Sequence, residues 1–165
     1  MEYKIRLLQK NHIKSSFDSG EKSLNNYLHT QVSQDIKRSL SAAYVLLEAN
    51  NPSVIGFYTL SSLSISLNDL SEKISKKLPR YPIAPVTLIG RLAIDKNYQK
   101  QRLGELLLVD ALKRSYFQST QIGSMAVVVD ALNESATHFY EKFGFIKFLD
   151  RKGQLFITME SIKDL

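Results

Sequence analysis

Arg91-Leu92-Ala93-Ile94-Asp95-Lys96-Asn97-Tyr98-Gln99-Lys100-Gln101-Arg102-Leu103-Gly104-Glu105-Leu106-Leu107-Leu108 is the stretch on which the fold turns. Its first residues close an apolar run that begins at Val86 and predicts a strand. A polar, basic turn follows, and an apolar helix is predicted at once from Leu103 to Phe117, so apolar that it should be largely buried. A helix start exposes backbone N–H groups without intrahelical partners and the positive end of the dipole, so it favours an anion. Lys100 and Arg102 add positive charge, and Gly104 has no β-carbon to hold a phosphate away. Neither the Walker pattern nor GxGxxG is present, which disfavours the usual triphosphate and dinucleotide sites. An ordinary strand–turn–helix with solvated lysines carries the same residues.

Upstream, Pro79, Pro82 and Pro85 mark an extended connection, because proline ends helices and restrains its predecessor. Residues 68–78 predict a weak helix with Leu70, Ile74 and Leu78 inward, and Leu60 to Leu67 alternate Leu and Ile with Ser. Two strands, Ala43 to Glu48 and Val54 to Leu60, flank the turn Asn50-Asn51-Pro52-Ser53 as a hairpin. Before them, Phe17-Asp18-Ser19-Gly20 opens an amphipathic helix with Leu24, Tyr27, Leu28, Val32 and Ile36 on one face, and Tyr3 to Leu8 is a first strand. Downstream, Met125 to Leu132 is a buried strand, and Asn133 caps a helix carrying Ala136, Phe139, Tyr140 and Phe143, which Gly144 ends. Phe145 to Phe148 and Leu155 to Glu160 are predicted as two last strands around a turn at residues 150–153. Strands first, then β-α-β-α-β-β, gives an α/β fold with a mixed sheet and helices on its faces.

The chain has 165 residues and a formal charge of +6, a length that fits one domain, residues 1–165, and a charge that suits either a phosphate-rich partner or a merely soluble surface. Cysteine is absent, which excludes disulfides, zinc–thiolate sites, iron–sulfur clusters and a cysteine nucleophile. Three isolated histidines give no metal spacing: His138 is expected to be exposed, and His12 and His29 to be structural or solvated. The start shows no signal peptide, no apolar run approaches a membrane span, and a cytoplasmic protein is expected.

Two segments together resemble the GCN5-related N-acetyltransferases (GNAT family): the stretch above, and Asn133-Glu134-Ser135-Ala136-Thr137-His138-Phe139-Tyr140-Glu141-Lys142-Phe143-Gly144-Phe145 about forty residues later. In that family a strand followed by Q/R-x-x-G-x-G/A cradles the acetyl-CoA pyrophosphate, and N-x-x-A-x-x-F-Y-x-x-x-G-F completes the site. Gln99, Gly104, Asn133, Ala136, Phe139, Tyr140, Gly144 and Phe145 stand in the matching places, and Arg102 stands where the pattern has its first glycine. Phe17 to Gly20, Gly56-Phe57-Tyr58-Thr59-Leu60-Ser61 and Arg91 to Asp95 look like a subgroup that contains the acetyltransferase toxins of bacterial toxin–antitoxin modules.

The resemblance implies a GNAT-like fold with a splayed central sheet, acetyl-CoA as cofactor, and cofactor contacts from Leu92, Ala93, Ile94, Gln99, Lys100, Gln101, Arg102, Leu103, Gly104 and Asn133. It implies an aminoacyl-tRNA acceptor, a homodimer and a ribbon–helix–helix antitoxin. An N–H of the strand, that of Leu92, is expected to polarise the thioester oxygen, and direct attack agrees with the missing cysteine. Tyr140 is the expected general acid, since a phenol near pKa 10 stays protonated at neutral pH; the alternative is a plain core aromatic on an apolar helix face. Asn133 serves the pantetheine arm or only its helix cap. A free α-amine titrates near 7.7–8.0, so an aminoacyl acceptor needs no dedicated base. Lys37, Arg38, Arg80 and Arg91 are candidates for the acceptor's phosphates, or parts of a solvated basic face. The alternatives are a GNAT acting on a small amine or a protein N-terminus, and a non-catalytic acyl-CoA-binding module.

Overall fold

The computed structural model describes residues 1–78 and 81–165. Among them are seven strands: β1 (Tyr3–Leu7), β2 (Ala42–Glu48), β3 (Gly56–Ser66), β4 (Ile83–Ile94), β5 (Ala126–Asp130), β6 (Ile146–Lys147) and β7 (Gln154–Thr158). They form one mixed sheet in the order β1-β2-β3-β4-β5-β7-β6. The α-helices are α1 (Lys22–Asn26), α2 (Val32–Lys37), α3 (Glu72–Ser75), α4 (Leu103–Ser119), α5 (Glu134–Lys142) and α6 (Met159–Lys163), and a π-helical segment, Tyr27–Gln31, joins α1 to α2. This is the mixed α/β architecture the element order predicts.

The chain divides into two compact units, residues 1–61 with 90–111 and residues 62–89 with 112–165. In the first, β1 pairs antiparallel with β2, and β2 with β3, so the expected hairpin is present. Phe17, Tyr27, Leu28 and Val32 pack there with Ala43, Val45 and Leu47 of β2, Phe57 of β3 and Ala93 of β4. Phe57 is fully buried, edge-on to Phe17 at 5.5 Å and stacked with Tyr27 at 6.4 Å. Each such side chain contributes roughly 1.5–3 kcal/mol by its burial. Gly56 belongs to the same packing: a β-carbon there would stand 2.8 Å from Ile94 Cδ1 and 3.2 Å from the Ala93 carbonyl oxygen.

In the second unit, Ala126 to Val129 of β5 are completely buried, as a β-branched run flanked by strands on both sides requires. β5 pairs parallel with β4 and antiparallel with β7. The parallel ladder joins Thr87–Ile89 to Val127–Val129, while β4 itself continues to Ile94.

Three expectations need correction. The last strand ends at Thr158, not Glu160, because the Thr158 hydroxyl accepts the Ser161 N–H at 3.2 Å and caps α6 instead. The expected strand over 145–148 is only Ile146–Lys147. α4 buries Leu103, Leu107, Leu108, Ala111 and Leu112 but leaves Leu106, Val109 and Phe117 exposed, since a helix packed on one side buries one stripe whatever its composition.

Candidate acetyl-transfer site

One candidate segment is the loop between β4 and α4, in the first unit. Asp95 caps a short 3₁₀ turn, Lys96–Tyr98, by accepting the Asn97 N–H at 2.9 Å. Lys100 and Arg102 then take positive φ, 64° and 61°, the left-handed region that disfavours a side chain. The Leu106 N–H donates to the Arg102 carbonyl at 3.2 Å, so the N–H groups of Leu103 and Gly104 precede the helical ladder. A left-handed residue followed by helical ones turns successive N–H groups toward one side, the backbone concavity that takes an anion. That conformation also explains why glycine suits position 102 and what arginine does there. The strain is of order 1–2 kcal/mol, and the Arg102 side chain is exposed. The residues present therefore fit a diphosphate.

Gln99 sits in the same loop, but its side-chain amide donates to the carbonyls of Ser19 at 2.9 Å and Ile94 at 3.0 Å. Its contribution to an anion is reduced to the backbone. Leu92, Ala93 and Ile94 form the last residues of β4, beyond the end of its ladder with β5, with Ala93 turned into the core. Lys100 and Gln101 are exposed.

The other candidate segment is α5, in the second unit. Asn133 caps it by accepting the Ala136 N–H at 2.9 Å, so its side-chain oxygen serves the helix while its amide N–H₂ is left for other use. Tyr140 is buried between Phe139 at 5.2 Å and Phe145 at 5.4 Å. Burial, and secondarily the charge of Asp130, push its phenol well above its ordinary pKa of 10.0. The hydroxyl thus remains a proton donor throughout the physiological range.

The histidines lie where the sequence places them. His138 is exposed between Glu134 and Glu141, His12 Nδ1 accepts the Gln9 N–H at 3.0 Å, and His29 Nε2 bonds the Phe17 carbonyl at 2.9 Å. No group of three metal-ligating side chains occurs among the described residues.

Of the four acceptor candidates, Arg80 lies outside the described residues. Arg91 stands 3.6 Å over the ring of Tyr27, whose hydroxyl donates to Asp35 at 2.8 Å. Hydrogen bonds from Gln31 and Tyr27, with the charges of Arg91 and Arg38 behind them, hold the Asp35 carboxyl below its usual range. The charges of Arg38 and Arg91 thus both bear on Asp35, and Lys37 is exposed beside Arg38. The Tyr27–Asp35 link was not foreseen. Its eight-residue spacing crosses the π-helical segment, and no helix template marks it as a pair.

The model of the acetyltransferase (GNAT) domain matches residues 41–147. A tRNA-acetylating toxin of Mycobacterium tuberculosis is 36% identical over 131 residues, covering 79% of this chain and 76% of the relative. Among solved structures, a tyrosine-to-phenylalanine mutant of KacT superposes with a TM-score of 0.93 at 31% identity over 99% of both chains. AtaT complexed with acetyl-methionyl-tRNAfMet gives 0.91 at 31% identity over 98% of both. A tyrosine-to-phenylalanine mutant of AtaT, bound to the C-terminus of the antitoxin AtaR and to acetyl-CoA, gives 0.83 at 28% identity over 99% and 97%.

Proposed function

The chain belongs to the GNAT acetyltransferases, and from that membership we propose that it is a toxin that acetylates the α-amino group of aminoacyl-tRNA and so blocks translation. Acetyl-CoA is the donor; when bound, it supplies an acetyl group already activated as a thioester. The observation that carries the reading is the loop at Lys100 to Gly104. Its left-handed backbone and helix start present N–H groups suited to a diphosphate, on a chain with a formal charge of +6.

The chain's own residues divide the work. The N–H groups of Lys100 to Gly104 hold the diphosphate. The backbone of Leu92, Ala93 and Ile94, which β4 extends past its parallel partner, bonds the pantetheine arm in strand fashion. The Leu92 N–H would serve as the donor to the thioester oxygen, where a fixed dipole contributes most. Tyr140 is protonated at neutral pH and would supply that proton to the departing thiolate, the proton released by the acylated amine restoring the balance. The Asn133 amide N–H₂ remains a donor for the same arm. No base is assigned, since an α-amine beside an ester is substantially neutral at cellular pH.

Lys37, Arg38 and Arg91 are the phosphate contacts on the acceptor side, with Arg91 pre-set on Tyr27. Charge contacts of this kind make binding fall steeply with salt. The tRNA-acetylating activity of the Mycobacterium tuberculosis relative and the acetyl-methionyl-tRNAfMet held by AtaT support this acceptor over a small amine or a protein N-terminus. AtaT's complex with the antitoxin AtaR supports an antitoxin partner here, which we take to be of the ribbon–helix–helix type, acting on a cytoplasmic homodimer. The experiment is incubation of the purified protein with labelled acetyl-CoA and charged total tRNA. Label is expected in the aminoacyl-tRNA fraction, at a rate that falls with added salt; label absent from RNA but present in small amines would overturn the acceptor assignment.

A further inference from the structure

The carboxylate of Asp95 is buried, with 6% of the residue exposed, and it has no place in the chemistry derived above. It receives two backbone N–H groups, one on each oxygen. The Asn97 N–H, inside the phosphate loop, donates to Oδ1 at 2.9 Å; the Asp18 N–H, 77 residues earlier in the chain, donates to Oδ2 at 3.0 Å. The Asp95 N–H itself donates to the Ile55 carbonyl at 2.8 Å, fixing the residue to the strand side.

The same two segments are tied again just beyond Asp95. The Lys96 N–H donates to the Asp18 carbonyl at 2.8 Å, and the Lys96 ammonium pairs with Asp18 Oδ2 at 3.0 Å. The Gln99 amide donates to the Ser19 carbonyl at 2.9 Å. The Phe17–Gly20 turn is itself held. Asp18 Oδ1 accepts the Gly20 N–H at 2.9 Å and the Asn25 amide at 2.8 Å, and the Ser19 N–H donates to Asn25 Oδ1 at 2.7 Å. The loop immediately beyond these ties carries two side-chain-bearing residues at positive φ, Lys100 and Arg102. A conformation that costs energy locally persists only where its surroundings over-determine it. The web around Asp95 is the structure that does so.

We propose that Asp95 is a positioning residue for the cofactor: by clamping the Phe17–Gly20 turn to the Lys96–Tyr98 turn, it holds the left-handed loop at Lys100 to Gly104 ready for the diphosphate, with Gln99 as its second tie. The inference rests on the acetyl-CoA reading of that loop. The clamp touches neither the reacting atoms nor the diphosphate. It acts on donor affinity, because a loop that must be ordered at binding weakens the complex by the fraction of time it is wrongly shaped.

The test compares the wild-type chain with Asp95→Asn, in which one oxygen that receives an N–H is replaced by a group that donates. Gln99→Met, which keeps the bulk of an exposed side chain and removes only its two bonds, is the companion that folds if Asp95→Asn does not. Amide hydrogen exchange without ligand should speed up across residues 96–104 in both variants, and calorimetry should show coenzyme A binding about tenfold weaker in Asp95→Asn and less so in Gln99→Met. The KM for acetyl-CoA should rise by the same factor, with kcat changed much less. Unaltered exchange in the loop, or exchange accelerated equally over the whole chain, would overturn the clamp. So would faster loop exchange with unchanged coenzyme A affinity. If the wild-type protein bound no coenzyme A, the acetyltransferase reading would fall, and loop exchange would still decide whether Asp95 orders the loop.

Discussion

The loop at 95–104 and the helix at 133–145 belong to the same proposed reaction but are built on opposite plans. The loop is polar, carries left-handed backbone at Lys100 and Arg102, and is held by bonds to residues some 80 positions away in sequence. The helix is held by neighbours: Asn133 caps it three residues on, and Phe139, Tyr140, Phe143 and Phe145 pack against one another within a single turn or two. A phosphate needs several N–H groups turned to one point, which a regular element does not offer, so the loop leaves regular geometry and needs outside support. A proton donor needs a fixed pKa and a fixed place, and apolar packing supplies both.

This contrast can be tested at its strongest point first. Tyr140→Phe keeps the packing of the helix and deletes only the proton donor. It should lower kcat by about 10²–10⁴-fold while leaving coenzyme A affinity and the melting temperature close to wild type, measured by steady-state kinetics with calorimetry alongside. A comparable loss of stability would make Tyr140 a core aromatic and nothing more. Because its pKa is raised, the wild-type rate should climb as the acceptor amine loses its proton near pH 7.7–8.0 and show no falling limb from the phenol below about pH 10.

A smaller effect separates the two roles of Asn133. Asn133→Ala should cost about 1 kcal/mol of stability in chemical denaturation through the lost cap. If the amide also serves the pantetheine arm, the KM for acetyl-CoA rises as well, and Asn133→Asp, which keeps the cap and loses the donor, raises KM without the loss of stability.

The smallest effect concerns the strained loop. Arg102→Gly removes the penalty at φ 61° and should be neutral or stabilising by up to about 1 kcal/mol, in spite of glycine's greater freedom in the unfolded chain. Thermal unfolding measures it. Coenzyme A binding should change little where backbone N–H groups alone hold the diphosphate; a large loss would show that Arg102 contributes charge to the ligand.

Local regularities were legible without coordinates. The apolar spacing of Leu24, Tyr27, Leu28 and Val32, the valine run of β5, the Asn133 cap and the strand–loop–helix at Arg91 to Leu108 each follow from interactions within a few residues, and each is present. Element ends were less legible. Thr158 ends a strand by capping a helix, which a β-rich tail at Leu155 to Ile157 conceals.

The candidate site divides in the same way. That Lys100 to Gly104 favour an anion is written in the order strand, basic turn, helix, because dipole and unpaired N–H groups are properties of any helix start. That Gln99 faces Ser19, that Arg91 rests on Tyr27, and that Asp95 receives the Asp18 N–H depend on segments distant in sequence. A hydrogen bond is short and directional, and no periodicity in the chain records which distant carbonyl or N–H folding will bring within 3 Å of a given side chain. Sequence alone thus determined the elements and the chemistry they favour. Tertiary structure decided which polar side chains remain for a ligand and which are already spent on holding the loop in shape.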